Sequence, residues 1–256
     1  MSVAVEVNGV AGWITLDRPQ AMNALNRASI EAATGALAAW RDDARVRVVV
    51  LTGRGTAFCA GADLKEAAAA CAPGERDFMD GIVDFFDTLR AFPKPVIAAV
   101  NGLALAGGLE TVMACDLVLA ARSARFGDAH SNFGVFPGGG GASVLPRKVP
   151  PNVAKYLLFT GDSLGAEEMK THGLVNEVLP DDELAARAQA LAEKLAAKSP
   201  LGLPRQERGG QPGGGKGPGD ALRHELLELR DHQRSYDVQE GLRAFAEKRR
   251  PQFKGC

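Results

Sequence analysis

No charge of one sign dominates this chain, and that narrows its partners. With 30 basic and 31 acidic residues the formal net charge is −1, so no global field draws in nucleic acid or an anionic membrane. Any anionic ligand must be met by local groups. No apolar run reaches the length of about eighteen residues that a membrane-spanning helix needs. The start, Met1-Ser2-Val3-Ala4-Val5-Glu6, lacks the basic-then-apolar pattern of a secretory leader, which predicts a cytoplasmic protein. Cys59, Cys71, Cys115 and Cys256 show neither metal nor redox spacing. They read as thiols in a reducing compartment, and no metal site is predicted.

What is present is an ordinary globular composition, 46% hydrophobic and 24% charged over 256 residues, enough for one large domain or one domain with a helical appendage. Val3-Ala4-Val5-Glu6-Val7, Asn8-Gly9 and Ala11 to Leu16 read as a hairpin, since Asn-Gly between alternating strands is a strong turn signal. Residues 27 to 44 carry helical spacing, and Val46 to Thr52 is a β-branched run. A helix over 76 to 92, a buried strand from Pro95 to Val100, a short helix from about 107 and a strand near Asp116 to Ala121 continue the alternation. Strands buried on both faces read as continuous apolar runs, so the pattern predicts an α/β fold with parallel strands and helices packed outside. From Asn152 onward the reading is almost entirely helical. The predicted division is a β/α core over 1–195 and a helical C-terminal region over 196–256. The latter contains a Gly/Pro-rich segment, 202–219, that reads as a disordered loop.

Two stretches stand out chemically. Small residues in Thr52-Gly53-Arg54-Gly55-Thr56-Ala57-Phe58-Cys59-Ala60-Gly61-Ala62-Asp63-Leu64 let a ligand approach the backbone. Gly107-Gly108-Leu109-Glu110 follows an apolar strand and opens a helix, whose first amides have no intrahelical acceptor and face any anion that develops before them. Read together, Ala62 N–H and Gly107 N–H are two donors for one carbonyl oxygen, with Glu110 in the adjoining helical turn.

Several ordered segments carry a family likeness: Arg18-Pro19 with Asn23-Ala24-Leu25-Asn26, Phe58 to Leu64, and Lys94-Pro95 through Asn101-Gly102 to Gly107-Gly108. It continues in Ala114-Cys115-Asp116, Pro137-Gly138-Gly139-Gly140, Thr160-Gly161, Gly173-Leu174-Val175 and Glu240 to Phe245. With these the chain resembles the enoyl-CoA hydratase/isomerase (crotonase) family over nearly its whole length. The resemblance implies a crotonase-like spiral of β-β-α turns with a helical C-terminal trimerisation region, assembled as a homotrimer or a dimer of trimers. It also implies an acyl-CoA substrate whose thioester oxygen lies between the Ala62 and Gly107 amides, with CoA along Ala60 and Asp63, Leu64 and Lys65. Phe245 and Lys248 match positions that reach a neighbouring subunit's CoA. No cofactor is implied, the CoA thioester being the substrate. Enolising a thioester puts negative charge on its oxygen, and each preorganised donor there is worth about 2.7–4 kcal/mol.

Hydratases of the family use two glutamates. The first matches Glu110; the second falls in Arg125-Phe126-Gly127-Asp128-Ala129-His130, at His130. An imidazole exchanges protons near neutral pH, so Glu110 as base and His130 as acid or water-orienting partner remains workable chemistry for hydrating a 2-enoyl-CoA, or for an enoyl-CoA isomerisation. Asp128 is an alternative carboxylate, although in an extended strand a two-residue offset moves a side chain by about 7 Å. A histidine at this position also resembles family members that hydrolyse β-diketone carbon–carbon bonds. Those carry an aspartate after the following Pro-Gly, where this chain has Gly139. A catalytically silent acyl-CoA-binding member is the remaining reading. Asp116 reads as structural.

Overall fold

The computed structural model describes residues 2–69, 74, 76–203 and 218–256. The alternating N-terminal residues form the expected hairpin, in which β1 (Val3–Asn8) lies antiparallel to β2 (Ala11–Leu16) and Asn8 faces Ala11. This register places Gly9 and Val10 in the loop, one residue later than the Asn-Gly dipeptide implied. Gly9, at φ +58°, is the residue that supplies the left-handed position. Asn26 then caps α1 (Arg27–Trp40) by accepting the Ser29 amide, and Ile30, Ala33, Leu37 and Trp40 point into the core.

Three β-β-α turns follow. The first is β3 (Val48–Gly53), β4 (Ala57–Cys59), α2 (Leu64–Ala67) and α3 (Phe78–Arg90). The second is β5 (Val96–Val100), β6 (Leu103–Leu105) and α4 (Gly107–Met113). The third is β7 (Leu117–Ala121) and β8 (Arg125–Gly127), followed by α5 (Leu145–Lys148) and α6 (Pro151–Thr160). The first strand of each turn joins one sheet of order β1-β2-β3-β5-β7-β10, and the second joins another of order β4-β6-β8-β9. Pairing is parallel except at β1–β2 and β8–β9. Two strands in the region read as helical, β9 (Ser163–Gly165) and β10 (Glu177–Leu179), complete the two sheets. At three residues each they are too short to show a period-2 pattern. Between and after them lie α7 (Ala166–Thr171) and α8 (Leu184–Ala196).

The corners where a chain passes from one sheet to the other are backbone against backbone. A Cβ on Gly102 would stand 2.0 Å from the Thr56 carbonyl oxygen. The Asn101 side chain accepts the Gly53 amide and donates to the Gly55 carbonyl, while buried Asn23 donates to the carbonyls of Arg54 and Ala57. These contacts account for the Asn23 and Asn101-Gly102 signals. Asp116 is structural: its carboxylate accepts the Val96 amide at 2.8 Å, and burial pushes its pKa up.

Helices Pro218–His232 and Tyr236–Ala246 end the chain. Within the Gly/Pro-rich segment, residues 204–217 lie outside the described residues, so its reading as a loop is tested only at its edges. Residues 202–203 and 218–219 are helical. Cys59 and Cys115 are buried free thiols, Cys59 pushed up to about 12 by burial, and Cys256 is free and exposed. No helix among the described residues is long and apolar enough to cross a membrane.

Lys94 fastens the end of α1 to β5. Its ammonium donates to the carbonyls of Trp40, Asp43 and Val46 at 2.6, 2.8 and 2.8 Å, a cation on the negative end of a helix. Hydrogen bonds from a charged donor are worth about 1.5–3 kcal/mol. Lys94→Met is therefore expected to lower the unfolding free energy by roughly 2 kcal/mol or more in urea titration, since three carbonyls lose their donor together.

Candidate active site

The Ala62 and Gly107 amides are each preceded by a residue with positive φ. Leu25 forms an isolated parallel bridge with Ala62, in which the Leu25 amide donates to the Gly61 carbonyl and the Asp63 amide donates to the Leu25 carbonyl, both at 2.8 Å. The bridge uses the neighbours of Ala62, so the Ala62 N–H faces the opposite side of the ribbon. Gly61, at φ +109°, makes the turn. Ala106 (φ 48°, ψ −119°) does the same before Gly107, a conformation that costs an alanine about 1–3 kcal/mol and is held by the Ala106 amide donating to the Gly127 carbonyl.

The two segments touch. A Cβ on Gly61 would lie 3.0 Å from the Ala106 Cβ and 3.3 Å from the Gly107 nitrogen, and one on Gly107 would lie 3.4 Å from the Ala62 nitrogen. Gly108 sits closer still, 2.0 Å from the Cys59 carbonyl oxygen by the same measure. The Ala62 and Gly107 amides are thus neighbours, and neither donates a hydrogen bond among the described residues.

Glu110 follows in the first turn of α4 and is 3% exposed. One of its carboxylate oxygens, Oε1, accepts the Gly139 amide at 2.7 Å and the Gly141 amide at 2.9 Å. Pro137 to Gly141 is therefore a cradle for a carboxylate, a role that the sequence reading did not assign. A Cβ on Gly139 would fall 2.2 Å from the Phe86 ring and 2.8 Å from Glu110 Oε2, which is why this position lacks a side chain. Arg90 closes the loop from behind by donating to the Gly139 carbonyl and stacking 5.5 Å from the Phe86 centroid. An aspartate at 139, as the β-diketone hydrolases carry it, has no room here.

His130 does not lie in an extended strand. Beyond β8, Ala129 adopts φ +58° and His130 opens a 3₁₀ turn, His130–Phe133. The turn folds the chain back, so Asp128 and His130 touch instead of standing apart as alternatives: His130 Nδ1 is 2.9 Å from Asp128 Oδ1. The side chains are 13% and 1% exposed. Burial pulls the imidazole pKa down, but the Asp128 hydrogen bond and charge, with the charge of Glu110, outweigh it and leave the value above 6.5. A folded-state value above the unfolded one favours the charged ring. The pair accordingly stabilises the fold below about pH 6.5, and that contribution fades as pH rises through the folded midpoint.

Around the expected CoA segment, side chains are largely committed elsewhere. Asp63 caps α2 by accepting the Lys65 amide at 3.1 Å and pairs with Arg18 at 3.0 Å, which holds its carboxyl below the usual range. Ala60 donates its amide to the Met22 carbonyl. Leu64 is 54% exposed, and Lys65 is also exposed. Phe245, 84% exposed, and Lys248 lie at the end of the last helix, and no hydrogen bond or ion pair among the described residues joins them to 60–65. No group of side chains suited to a metal ion occurs among the described residues.

This two-sheet spiral of β-β-α turns has counterparts. A family model described as enoyl-CoA hydratase/isomerase matches residues 6–256. The (E)-benzylidenesuccinyl-CoA hydratase of Thauera aromatica is 35% identical over all of both chains. The 2,3-dehydroadipyl-CoA hydratase of Escherichia coli K12 is 37% identical over 94% of each. Among solved structures, an enoyl-CoA hydratase from Bacillus anthracis superposes with a TM-score of 0.94 at 36% identity over both complete chains. The fold is that of the crotonases, and the chain belongs to the enoyl-CoA hydratase/isomerase family.

Gly139→Ala is expected to lower turnover of an enoyl-CoA thioester by about 10²-fold in steady-state assays. The added methyl overlaps Phe86 and displaces the amide that holds Glu110, and a shift of about 1 Å at such a group costs that much.

Proposed function

We propose that this protein adds water to the 2,3 double bond of a 2-enoyl-CoA, giving a 3-hydroxyacyl-CoA in fatty-acid or related acyl-CoA metabolism. The observation that carries the reading is the pair of unspent amides at Ala62 and Gly107, one helical turn from a buried carboxylate. Relatives of 35–37% identity named as hydratases of acyl-CoA thioesters support it.

In this mechanism the thioester oxygen accepts both N–H groups, which withdraws electrons from C3 and stabilises the enolate as it forms. Glu110, its Oε1 tied to Gly139 and Gly141, takes a proton from a water molecule as the water oxygen bonds to C3. The π electrons move onto C2 and the carbonyl oxygen. The His130 imidazolium delivers a proton to C2, the enolate collapses back to the thioester, and H and OH have been added across the bond. Glu110 and His130 return to their starting states by proton exchange with solvent. The raised His130 pKa suits the donor role, and no cofactor is needed.

CoA is taken to run along Ala60 and Asp63 to Lys65, with Phe245 and Lys248 of a neighbouring subunit closing over it. Exposed apolar side chains, among them Phe133, Phe136, Phe159, Leu242 and Phe245, support a homotrimer or a dimer of trimers. The cytoplasm is the proposed compartment.

Crotonyl-CoA hydration, followed by loss of the enoyl absorbance, tests the reading. Glu110→Gln and His130→Ala are each expected to reduce kcat by roughly 10²–10⁴-fold, the contribution of a positioned acid or base. Absence of turnover in the parent protein with crotonyl-CoA still bound would overturn hydration in favour of a binding role. Full activity in His130→Ala would remove His130 from the chemistry. Sedimentation analysis of the full chain is expected to show a trimer or hexamer, and a monomer would overturn the assembly.

A further inference from the structure

Asp128 is a buried carboxylate with half of its hydrogen-bonding capacity unused. Oδ1 faces His130 Nδ1 at 2.9 Å and lies 3.4 Å from the His130 amide, while Oδ2 is sealed from solvent and has no partner among the described residues. A carboxyl group placed only to hold the fold would be expected to satisfy both oxygens, because a dry, unpaired one costs free energy on folding. On the other ring nitrogen the situation is reversed. His130 Nε2 makes no hydrogen bond among the described residues, yet it is not one of the sealed, unpartnered atoms, so it borders open space.

Gly141 connects this pair to Glu110. Its amide donates to Glu110 Oε1, and a Cβ on it would stand 2.4 Å from Asp128 Oδ2. The charged groups that act on His130 are Asp128, at the end of β8, and Glu110, on α4. From this geometry we propose that Asp128 is a positioning residue. It fixes the His130 ring through Nδ1, so that Nε2 is the nitrogen that carries the transferable proton toward the acyl chain, and the two side chains work as one acid.

The step is a proton transfer in which the Nε2–H bond breaks and a C2–H bond forms. The ring is left neutral with its remaining hydrogen on Nδ1, shared with Asp128. No further reactant is required. The proposal rests on the hydration reading for its kinetic arm only; the orientation of the ring is read separately.

Nuclear magnetic resonance titration of the histidine rings, with His130 assigned from a His130→Gln variant, supplies that separate readout. In the unaltered protein above the His130 midpoint, nitrogen shifts are expected to show hydrogen on Nδ1 and a bare Nε2. In Asp128→Asn the midpoint is expected to fall by about one pH unit or more, as loss of an adjacent opposite charge dictates. The alkaline limb of the kcat profile with crotonyl-CoA is expected to move by the same amount, with kcat reduced roughly 10²–10⁴-fold and KM little changed. The opposite tautomer in the unaltered protein, or an unmoved midpoint in Asp128→Asn, overturns the proposal. Should Asp128→Asn fail to fold, the tautomer measurement decides alone. A correct tautomer and midpoint shift in a protein that does not hydrate crotonyl-CoA would uphold the pairing and sink the hydration reading instead.

Discussion

The close approach of two ribbons, Gly61-Ala62 and Ala106-Gly107, sets the geometry on which the remaining groups depend. Each ribbon ends a strand of the smaller sheet, each is turned by a positive φ, and the two lie in close contact, a Cβ on Gly61 reaching 3.0 Å from the Ala106 Cβ. Because Gly108 rests on the Cys59 carbonyl, α4 cannot move closer to β4 without a clash. Placement of the amides therefore comes from backbone packing, which is stiffer than any side-chain rotamer. The strain at Ala106 is held by its amide donating to the Gly127 carbonyl, which fixes Gly107 beside Ala62.

Around that fixed pair the polar groups form a chain of dependence. Arg90 and Phe86 hold the loop containing Gly139; that loop holds Glu110; Gly141 in the same loop lies against Asp128, and Asp128 meets His130. Groups from all three β-β-α turns are thus joined in one connected set of contacts. The environment of the imidazole follows from it, since the opposing effects of burial and of two nearby carboxylates leave the ring more basic than it would be in water.

Much of the spiral was legible in the chain because its long strands are buried on both faces and its helices carry apolar stripes. Val48–Gly53, Val96–Val100, Leu117–Ala121, Arg27–Trp40 and Phe78–Arg90 all fall where periodicity placed them, within a few residues. The second sheet was not legible from periodicity: strands of three residues such as Leu103–Leu105 and Arg125–Gly127 carry no period, and only the family resemblance implied them. The proximity of the two glycine-rich strand ends, Gly61-Ala62 and Ala106-Gly107, was the part of the site readable in the sequence. The contact between Asp128 and His130 was not, because it depends on a left-handed alanine at 129, a conformation that residue type seldom signals. Gly139 and Gly141 escaped for a related reason. Their contribution is an amide, and an amide has no letter of its own in the sequence.

Crowding at Gly139 also constrains how this scaffold changes over evolutionary time. A descendant that placed an acidic side chain there, toward carbon–carbon cleavage, would first need a smaller residue at Phe86, which in turn would loosen the stacking of Arg90. The ring of one phenylalanine thereby acts as a gate on the chemistries that are reachable from this sequence.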